Sequence, residues 1–89
     1  MIDIEKTAVA GTLESSDVYV ELSPNDSGIV IELDSVVLDQ FGESIRQSVA
    51  EVLEENGVRS ARISLVDRGA LDCVIRARVE TAIARAKGE

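Results

Sequence analysis

"VRSARISLV", residues 58–66, decides the fold because it is a strand-type segment placed between two helix-type segments. Its apolar residues Ile63 and Leu65 recur at alternate positions, which is the period of a strand with one buried face. "DRG", residues 67–69, follows it and predicts a turn. A lone strand between two helices must find its partners elsewhere in the chain. We therefore expect residues 59–66 to lie inside a sheet.

The segment before this strand has the period of an amphipathic helix, which we place at residues 35–56. Asp34 or Ser35 is expected to cap its first turn, and Gly57 suits the left-handed residue that ends it. The stripe expected to face the core consists of Leu38, Phe41, Ile45, Val49 and Val52.

A second helix is predicted after the strand, at about residues 70–87. Arg78 and Arg85 lie on one flank of it, and Gly88 stands just beyond its end. Its expected buried stripe consists of Leu71, Ile75, Val79, Ala82 and Ala86.

Two alternating segments lie upstream of the first helix, "DVYVEL" at residues 17–22 and "IVIEL" at residues 29–33. Each has one apolar face, and "SPNDSG" between them has the residues of a turn, so we predict that the two segments form a hairpin. "TAVAGTL", residues 7–13, is a weaker strand with Val9 and Leu13 expected to face inward.

The segment "ESSD", residues 14–17, is then the turn of a first hairpin. The resulting order βββαβα predicts an α+β fold in which two helices pack on one face of a four-stranded sheet. A chain of 89 residues cannot divide its core, so we expect one domain, residues 1–89. A crossover between parallel strands should be right-handed.

Composition excludes several classes of function. The chain has no histidine, one cysteine and two aromatic residues, and its formal net charge is −8. Histidine triads and imidazole metal sites are thus excluded, and nucleic acid is a poor partner for so acidic a chain. We expect no catalytic residue, no metal, and no nucleic-acid partner. No apolar run could span a bilayer and no signal peptide is evident, so we expect a cytoplasmic protein without membrane contact.

The charge is divided unevenly along the chain. Residues 1–56 hold thirteen acidic side chains against two basic ones, a net −11, whereas residues 57–89 hold four against seven, a net +3. The second part contains a predicted basic strip: Arg62, Arg68, Arg76, Arg78 and Arg85. These arginines could bind an anionic ligand or an acidic subunit, or could pair with this chain's own acids. Arg78 and Arg85 are our candidates for docking other subunits.

Three local patterns have both a structural and a functional interpretation. Asp34-Ser35-Val36 resembles the motif that carries phosphopantetheine in conventional carriers, but a strand precedes it, which favours helix capping by Ser35. Cys73 is more simply a packing residue than a nucleophile. The N-terminal acids Asp3, Glu5, Glu14 and Asp17 lack the spacing of a metal-binding loop.

Three ordered blocks together resemble the acyl carrier (gamma) subunits of citrate lyase. They are "AVAGTLESSD", "QFGESIRQSVAEVLEENGVR" and "GALDCVIRARVETAIARA", at residues 8–17, 40–59 and 69–86. The resemblance therefore covers nearly the whole chain. The nearest rival is the carrier subunit of malonate decarboxylase. A protein-interaction domain without any modification is an alternative of a different class.

The resemblance implies a carrier that is not itself a catalyst. In that family the serine of "GTLES", here Ser15, carries phosphoribosyl-dephospho-coenzyme A through a phosphodiester, and the thiol of this arm bears acetyl and citryl thioesters. The implied partners are the alpha (acyl-exchange) and beta (citryl-lyase) subunits, a prosthetic-group transferase and an acetate:carrier ligase. The family pattern places glycine after the modified serine, whereas this chain has Ser16. Ser16 is therefore an alternative attachment residue, and Ser35 is another if the chain is a conventional phosphopantetheine carrier.

Overall fold

The computed structural model describes residues 2–88 and has the predicted α+β architecture, with one short strand added at the N-terminus. The elements are β1 (Ile2–Asp3), β2 (Ala8–Gly11), β3 (Val18–Ser23), β4 (Ile29–Ser35), α1 (Leu38–Glu55), β5 (Val58–Asp67) and α2 (Asp72–Ala86). Gly57, with φ +71°, ends the first helix in the left-handed conformation that the sequence predicts.

Strand β5 is the centre of the sheet, as its place between the helices predicts. It pairs antiparallel with β3 along one edge and parallel with β4 along the other, and β3 in turn pairs antiparallel with β2. The four longer strands thus have the order β4-β5-β3-β2, and β1 pairs with the first residues of β5. The hairpin predicted around residues 14–17 is confirmed by the β2–β3 pair.

The hairpin predicted between β3 and β4 is wrong. β3 has β2 on one edge and β5 on the other, so it has no free edge for β4. β4 instead lies beside the far edge of β5, with α1 as the crossover between the two parallel strands. The predicted turn does form, since the Asn25 side chain donates to the carbonyl oxygens of Ser27 and Gly28. This turn crosses the start of β5, where Ser60 Oγ donates to the Asn25 carbonyl oxygen, and so leads the chain from β3 to the opposite edge of β5.

The core lies between one face of this sheet and both helices. Two rows of paired residues cross the inner face of the sheet, Ala8-Leu22-Ile63-Ile31 and Ala10-Val20-Leu65-Leu33. Against them pack Ile45, Val49, Val52 and Leu53 from α1 and Ile75, Val79, Ala82 and Ile83 from α2, all of which are buried. The helices therefore cover one face of the sheet, as predicted.

The predicted inner face of β2 is reversed. Ala8 and Ala10 are buried, whereas Val9 is 39% exposed and Leu13 is 57% exposed. α2 lies directly against β2, and the small alanine side chains allow the helix to approach the strand. In β2, side-chain size therefore decides which face is buried, and the more apolar Val9 faces outward.

The predicted start of the first helix is also wrong. Asp34 and Ser35 are the last residues of β4, α1 begins at Leu38, and the cap residue Val37 makes no side-chain hydrogen bond. Three members of the predicted helix stripes are largely exposed rather than buried, namely Leu38, Phe41 and Leu71. Leu38 and Phe41 lie in the first turn of α1, and Leu71 is the residue just before α2.

Candidate attachment site

One end of the sheet brings the candidate residues together. Val18, Asp67 and Ser35 form the last paired row across β3, β5 and β4. Three connections leave the sheet beyond this row, at residues 12–17, 36–37 and 68–71. The loop that contains Ser15 therefore shares one end of the molecule with the starts of both helices.

The loop from residue 12 to residue 17 contains a β-turn in which Asp17 N donates to the Glu14 carbonyl oxygen at 3.2 Å. Ser15 and Ser16 are its two central residues, and both are exposed. Ser16 has φ 65°, the only positive φ of a non-glycine residue among residues 2–88. A positive φ at the third position of a turn ordinarily selects glycine or asparagine. The glycine that the resemblance leads us to expect at this position would fit this backbone without strain.

The turn is attached to the end of β5 by two backbone hydrogen bonds. Ser16 N donates to the Arg68 carbonyl oxygen at 2.8 Å, and Arg68 N donates to the Asp17 carbonyl oxygen at 2.9 Å. Ser15, between Glu14 and Ser16, makes no hydrogen bond of this kind within the described part of the chain. The backbone is thus held on both sides of Ser15 while the residue itself faces solvent.

Asp17 clamps the base of the loop. Its carboxylate accepts from Thr12 Oγ1 at 2.7 Å, from Val18 N at 2.8 Å, and from Arg78 Nε and Nη2 at 3.1 and 3.0 Å. The side chain is only 15% exposed. The hydrogen bond from Thr12, then that from Arg78, and then that from Val18 N lower the pKa of Asp17 to about 2. One carboxylate therefore joins both ends of the loop to α2.

Gly11 ends β2 just before the loop and cannot be replaced without movement of the backbone. Its φ is +87°, and a Cβ placed on it would lie 1.8 Å from the carbonyl oxygen of Val18. Glycine is thus required here both for its conformation and for the close approach of the two strands. The "G" of "GTLES" has a structural role.

Ser35, the alternative attachment residue, lies half-buried at the end of β4. Its hydroxyl donates to Asp67 Oδ2 at 2.8 Å and accepts from Val37 N at 3.1 Å. Asp67 is buried and also accepts from Ala70 N at 3.0 Å. Ser35 therefore links the end of β4 to the turn after β5, and a large substituent on its oxygen would break these bonds. The hypothesis that Ser35 caps α1 is wrong.

Most of the predicted basic strip pairs within the chain. Arg62 lies 3.2 Å from Glu32, Arg76 binds both Glu51 and Asp72, and Arg78 binds Asp17. Arg85 Nη1 donates to the Val9 carbonyl oxygen at 2.7 Å. Pairing with this chain's own acids is thus confirmed for Arg62, Arg76 and Arg78. The docking role of Arg78 and Arg85 stays a prediction.

The described residues contain neither a metal-binding cluster nor a membrane-spanning helix. No group of three or more Cys, Asp or Glu side chains between residues 2 and 88 is placed to hold a metal ion. Asp3 and Asp17 instead pair with Arg59 and Arg78. Neither α1 nor α2 combines the length and the hydropathy needed to cross a bilayer.

Sequence reasoning placed Ser15 on an exposed turn but missed the residues that hold this turn. The clamp joins Asp17 to Arg78, 61 positions further along the chain. No local pattern relates residues so far apart. Asp67 was assigned to a simple turn, although its burial and its bond to Ser35 make it the second anchor of this end.

Comparison with known proteins shows which family this chain resembles. The family model described as "Malonate decarboxylase delta subunit (MdcD)", an acyl carrier model, matches residues 5–86. A relative named citrate lyase acyl carrier protein, from Streptococcus mutans, is 51% identical over 96% of this chain and 84% of its own. The corresponding relative from Haemophilus influenzae is 55% identical over 97% of this chain and 90% of its own.

A solved structure has the same fold. It is a chain of a Pseudomonas malonate decarboxylase hetero-tetramer in complex with malonate, with 26% sequence identity and a TM-score of 0.79. The match covers 94% of this chain and 87% of the other. Since the family model spans most of the chain and these relatives share about half of its residues, the chain belongs to the family of the citrate lyase acyl carrier proteins.

Proposed function

We propose that this chain is the acyl carrier subunit of a citrate lyase, and that Ser15 is the residue to which its prosthetic group is attached. The observation that carries this proposal is an exposed serine on a turn whose backbone is held on both sides. Such a residue is open to a modifying enzyme, while the sheet beneath it gives the attached group a fixed origin. The chain itself acts as a carrier and not as a catalyst.

The surroundings of Ser15 fit a large covalent group better than those of Ser35. Ser15 stands on an exposed loop, whereas the hydroxyl of Ser35 is engaged with Asp67 and Val37. The proposed group is phosphoribosyl-dephospho-coenzyme A, linked through a phosphodiester to Ser15 Oγ. When bound, it supplies a thiol for thioester chemistry.

This chain does not activate the serine. Attachment requires a base to take the hydroxyl proton, and the chain has no histidine. Asp17 is the carboxylate that anchors this loop, but a pKa of about 2 makes it a weak base, and its oxygens are already engaged. We therefore expect the base to come from the prosthetic-group transferase. The role of this chain is to present Ser15.

The proposed partners are the alpha and beta subunits of citrate lyase, with the transferase and the acetate:carrier ligase acting on the carrier in turn. The solved relative belongs to a hetero-tetramer, which supports assembly with other subunits. Malonate decarboxylase is the second candidate, because the matching family model has that description. The identity of 51–55% to citrate lyase carriers, against 26% to the malonate decarboxylase chain, favours citrate lyase. The cytoplasmic location stays a prediction.

Serine substitutions test the attachment residue. The chain and the variants Ser15→Ala, Ser16→Ala and Ser35→Ala are each produced with the transferase of a citrate lyase system, and intact mass is measured. We expect the added mass on the wild type and on the Ser16 and Ser35 variants, and its complete loss in Ser15→Ala. Loss in Ser16→Ala or Ser35→Ala alone would move the site to that residue. A bare chain mass for every form would contradict the carrier proposal.

A further inference from the structure

The apolar stripes of both helices continue past the core at the end of the molecule that carries Ser15. Ile45 and Ile75 are buried, but the residues one turn before them are not: Phe41 is 53% exposed and Leu71 is 70% exposed. Leu38, the first residue of α1, is 45% exposed, and Val36, two residues before the helix, is 63% exposed. We name Val36, Leu38, Phe41 and Leu71 the end patch.

Two residues of the end patch, Phe41 and Leu71, line a recess between the starts of the two helices. The recess has a volume of ≈ 410 Å³, which is room for one or two large apolar side chains. Its apolar lining comes from Val37, Phe41, Ile45, Ala70, Leu71 and Ile75. An apolar recess bordered by exposed apolar side chains is the form of a surface that receives a partner.

The charge around the recess selects the kind of partner. The segments that form this end, residues 12–17, 34–44 and 67–72, contain seven acidic residues and one basic residue, Arg68. Asp17 and Asp72 have arginine partners, and Asp67 is buried. The remaining acids form no ion pair within residues 2–88: Glu14, Asp34, Asp39 and Glu43.

This negative charge argues against two other occupants. A second copy of the chain, with its own net charge of −8, would bring like charges together. The phosphates of an arm attached to Ser15 would meet the same repulsion. A protein surface with an apolar projection among Lys and Arg side chains is complementary in both respects.

We propose that the end patch and its recess are the surface on which a catalytic subunit of citrate lyase docks, through an apolar side chain framed by basic residues. This inference rests on the proposed function. The recess adjoins the attachment loop, since Ser16 N bonds to Arg68 and the next three residues, Gly69 to Leu71, line the recess. Docking here would bring Ser15 to the face of the subunit that acts on its cargo.

The double variant Phe41→Ser/Leu71→Ser tests the surface. We measure binding of the unmodified chain to purified citrate lyase alpha and beta subunits by isothermal titration calorimetry. At least a tenfold weaker Kd for one of the subunits is expected. Ile29→Ser is the matched control, since Ile29 is 38% exposed but begins β4, at the opposite end of the sheet, and it should bind within twofold of wild type.

The charge argument has its own variant, Asp39→Lys/Glu43→Lys. Binding should weaken, and the dependence of Kd on salt should become shallower, because two acids that attract a basic surface have been reversed. Urea unfolding of each variant checks the fold. The midpoints should stay close to that of the wild type, because the substituted side chains are exposed.

Three results would overturn the inference. The first is wild-type affinity in the Phe41→Ser/Leu71→Ser variant. The second is a dimer of the chain alone, seen by sedimentation, that this variant abolishes. The third is a set of NMR shift changes at Phe41 and Leu71 when the arm is attached, which would place the arm in the recess. The binding assay uses the unmodified chain, so its result does not depend on attachment to Ser15. The docking proposal can therefore be contradicted while the mass test supports Ser15, and the mass test can contradict Ser15 while docking is confirmed.

Discussion

At the scale of single residues, the backbone makes residue 16 the most demanding position of the turn. Ser16 has φ 65°, in the region that L-residues other than asparagine and aspartate seldom adopt. The pattern that the resemblance implies has glycine at this position, where glycine is free of strain. Ser16 of "ESSD" therefore stands at a conformationally demanding position, and its hydroxyl does not by itself indicate an attachment site.

Replacing Ser16 by glycine should stabilise the protein. The left-handed conformation costs an L-residue about 1–2 kcal/mol, and the greater freedom of glycine in the unfolded chain offsets roughly 0.5–1 kcal/mol of the gain. We expect the free energy of unfolding to rise by about 0.5–1 kcal/mol in urea denaturation. Ser15→Gly is the matched control and should not raise it, because Ser15 does not have a positive φ. A loss of stability in Ser16→Gly would contradict this explanation.

At the scale of elements, the loop is held by residues from distant segments. Asp17 receives hydrogen bonds from Thr12 in the loop and from Arg78 in α2. Ser35 and Asp67 in the same way connect β4 to the turn after β5. These bonds connect the loop to α2, and β4 to the turn after β5, at the end of the molecule that contains Ser15.

The clamp predicts a pH dependence with a defined sign. The pKa of Asp17 is about 2 in the folded chain, below its usual value of 3.8, so the folded state favours the ionised carboxylate. Its contribution to stability is complete above about pH 4 and is lost as the pH falls towards 2. Asp17→Asn should lower the free energy of unfolding at pH 7 and flatten its decline between pH 4 and pH 2. Urea denaturation at a series of pH values measures both.

Hydrogen exchange distinguishes the effect of the Asp17 clamp on the loop from the effects of the other ion pairs. In Asp17→Asn the amides of residues 12–17 should exchange faster at pH 7. Glu32→Gln is the control: the pKa of Glu32 is also lowered, by Ser64 and Arg62, but this cluster ties β4 to β5 away from the loop. Equal exchange of the loop amides in wild type and Asp17→Asn would show that Asp17 does not hold the loop.

At the scale of the whole molecule, the balance of charge opposes the compact state. Within residues 2–88 the arginines form five ion pairs, whereas the whole chain carries an excess of eight negative charges. Exposed ion pairs contribute at most about 1 kcal/mol each, and their short range makes them less sensitive to salt than the repulsion among distant charges. Repulsion among the acids should therefore dominate the response to salt.

Raising NaCl from 10 to 200 mM should thus stabilise the protein. Relief of about 1 kcal/mol of repulsion corresponds to an increase in Tm of roughly 4–8 °C for a domain of this size. Differential scanning calorimetry measures the change. Asp39→Lys/Glu43→Lys, which reduces the net charge, should show a smaller increase. A Tm that falls with salt would mean that the ion pairs outweigh the repulsion.

The sequence by itself determined the types and order of the main elements, most of the core and the exposed turn that carries Ser15. Each of these follows from a local rule. Alternation places Val18, Val20 and Leu22 on one face of β3, and the helical period places Ile45, Val49 and Val52 on one face of α1. Short polar residues between two strands predict a turn without reference to the rest of the chain.

Only the tertiary structure decided which edges pair and which residues meet across the chain. Alternation shows which face of a strand is apolar, but the backbone groups along its edges are the same in every sequence, so β4 could not be assigned to β5 rather than β3. The helical period likewise continues through Phe41 and Leu71, although the sheet ends before it can cover them. The clamp between Asp17 and Arg78 exists only because the β2–β3 loop and α2 are brought together by the folded core.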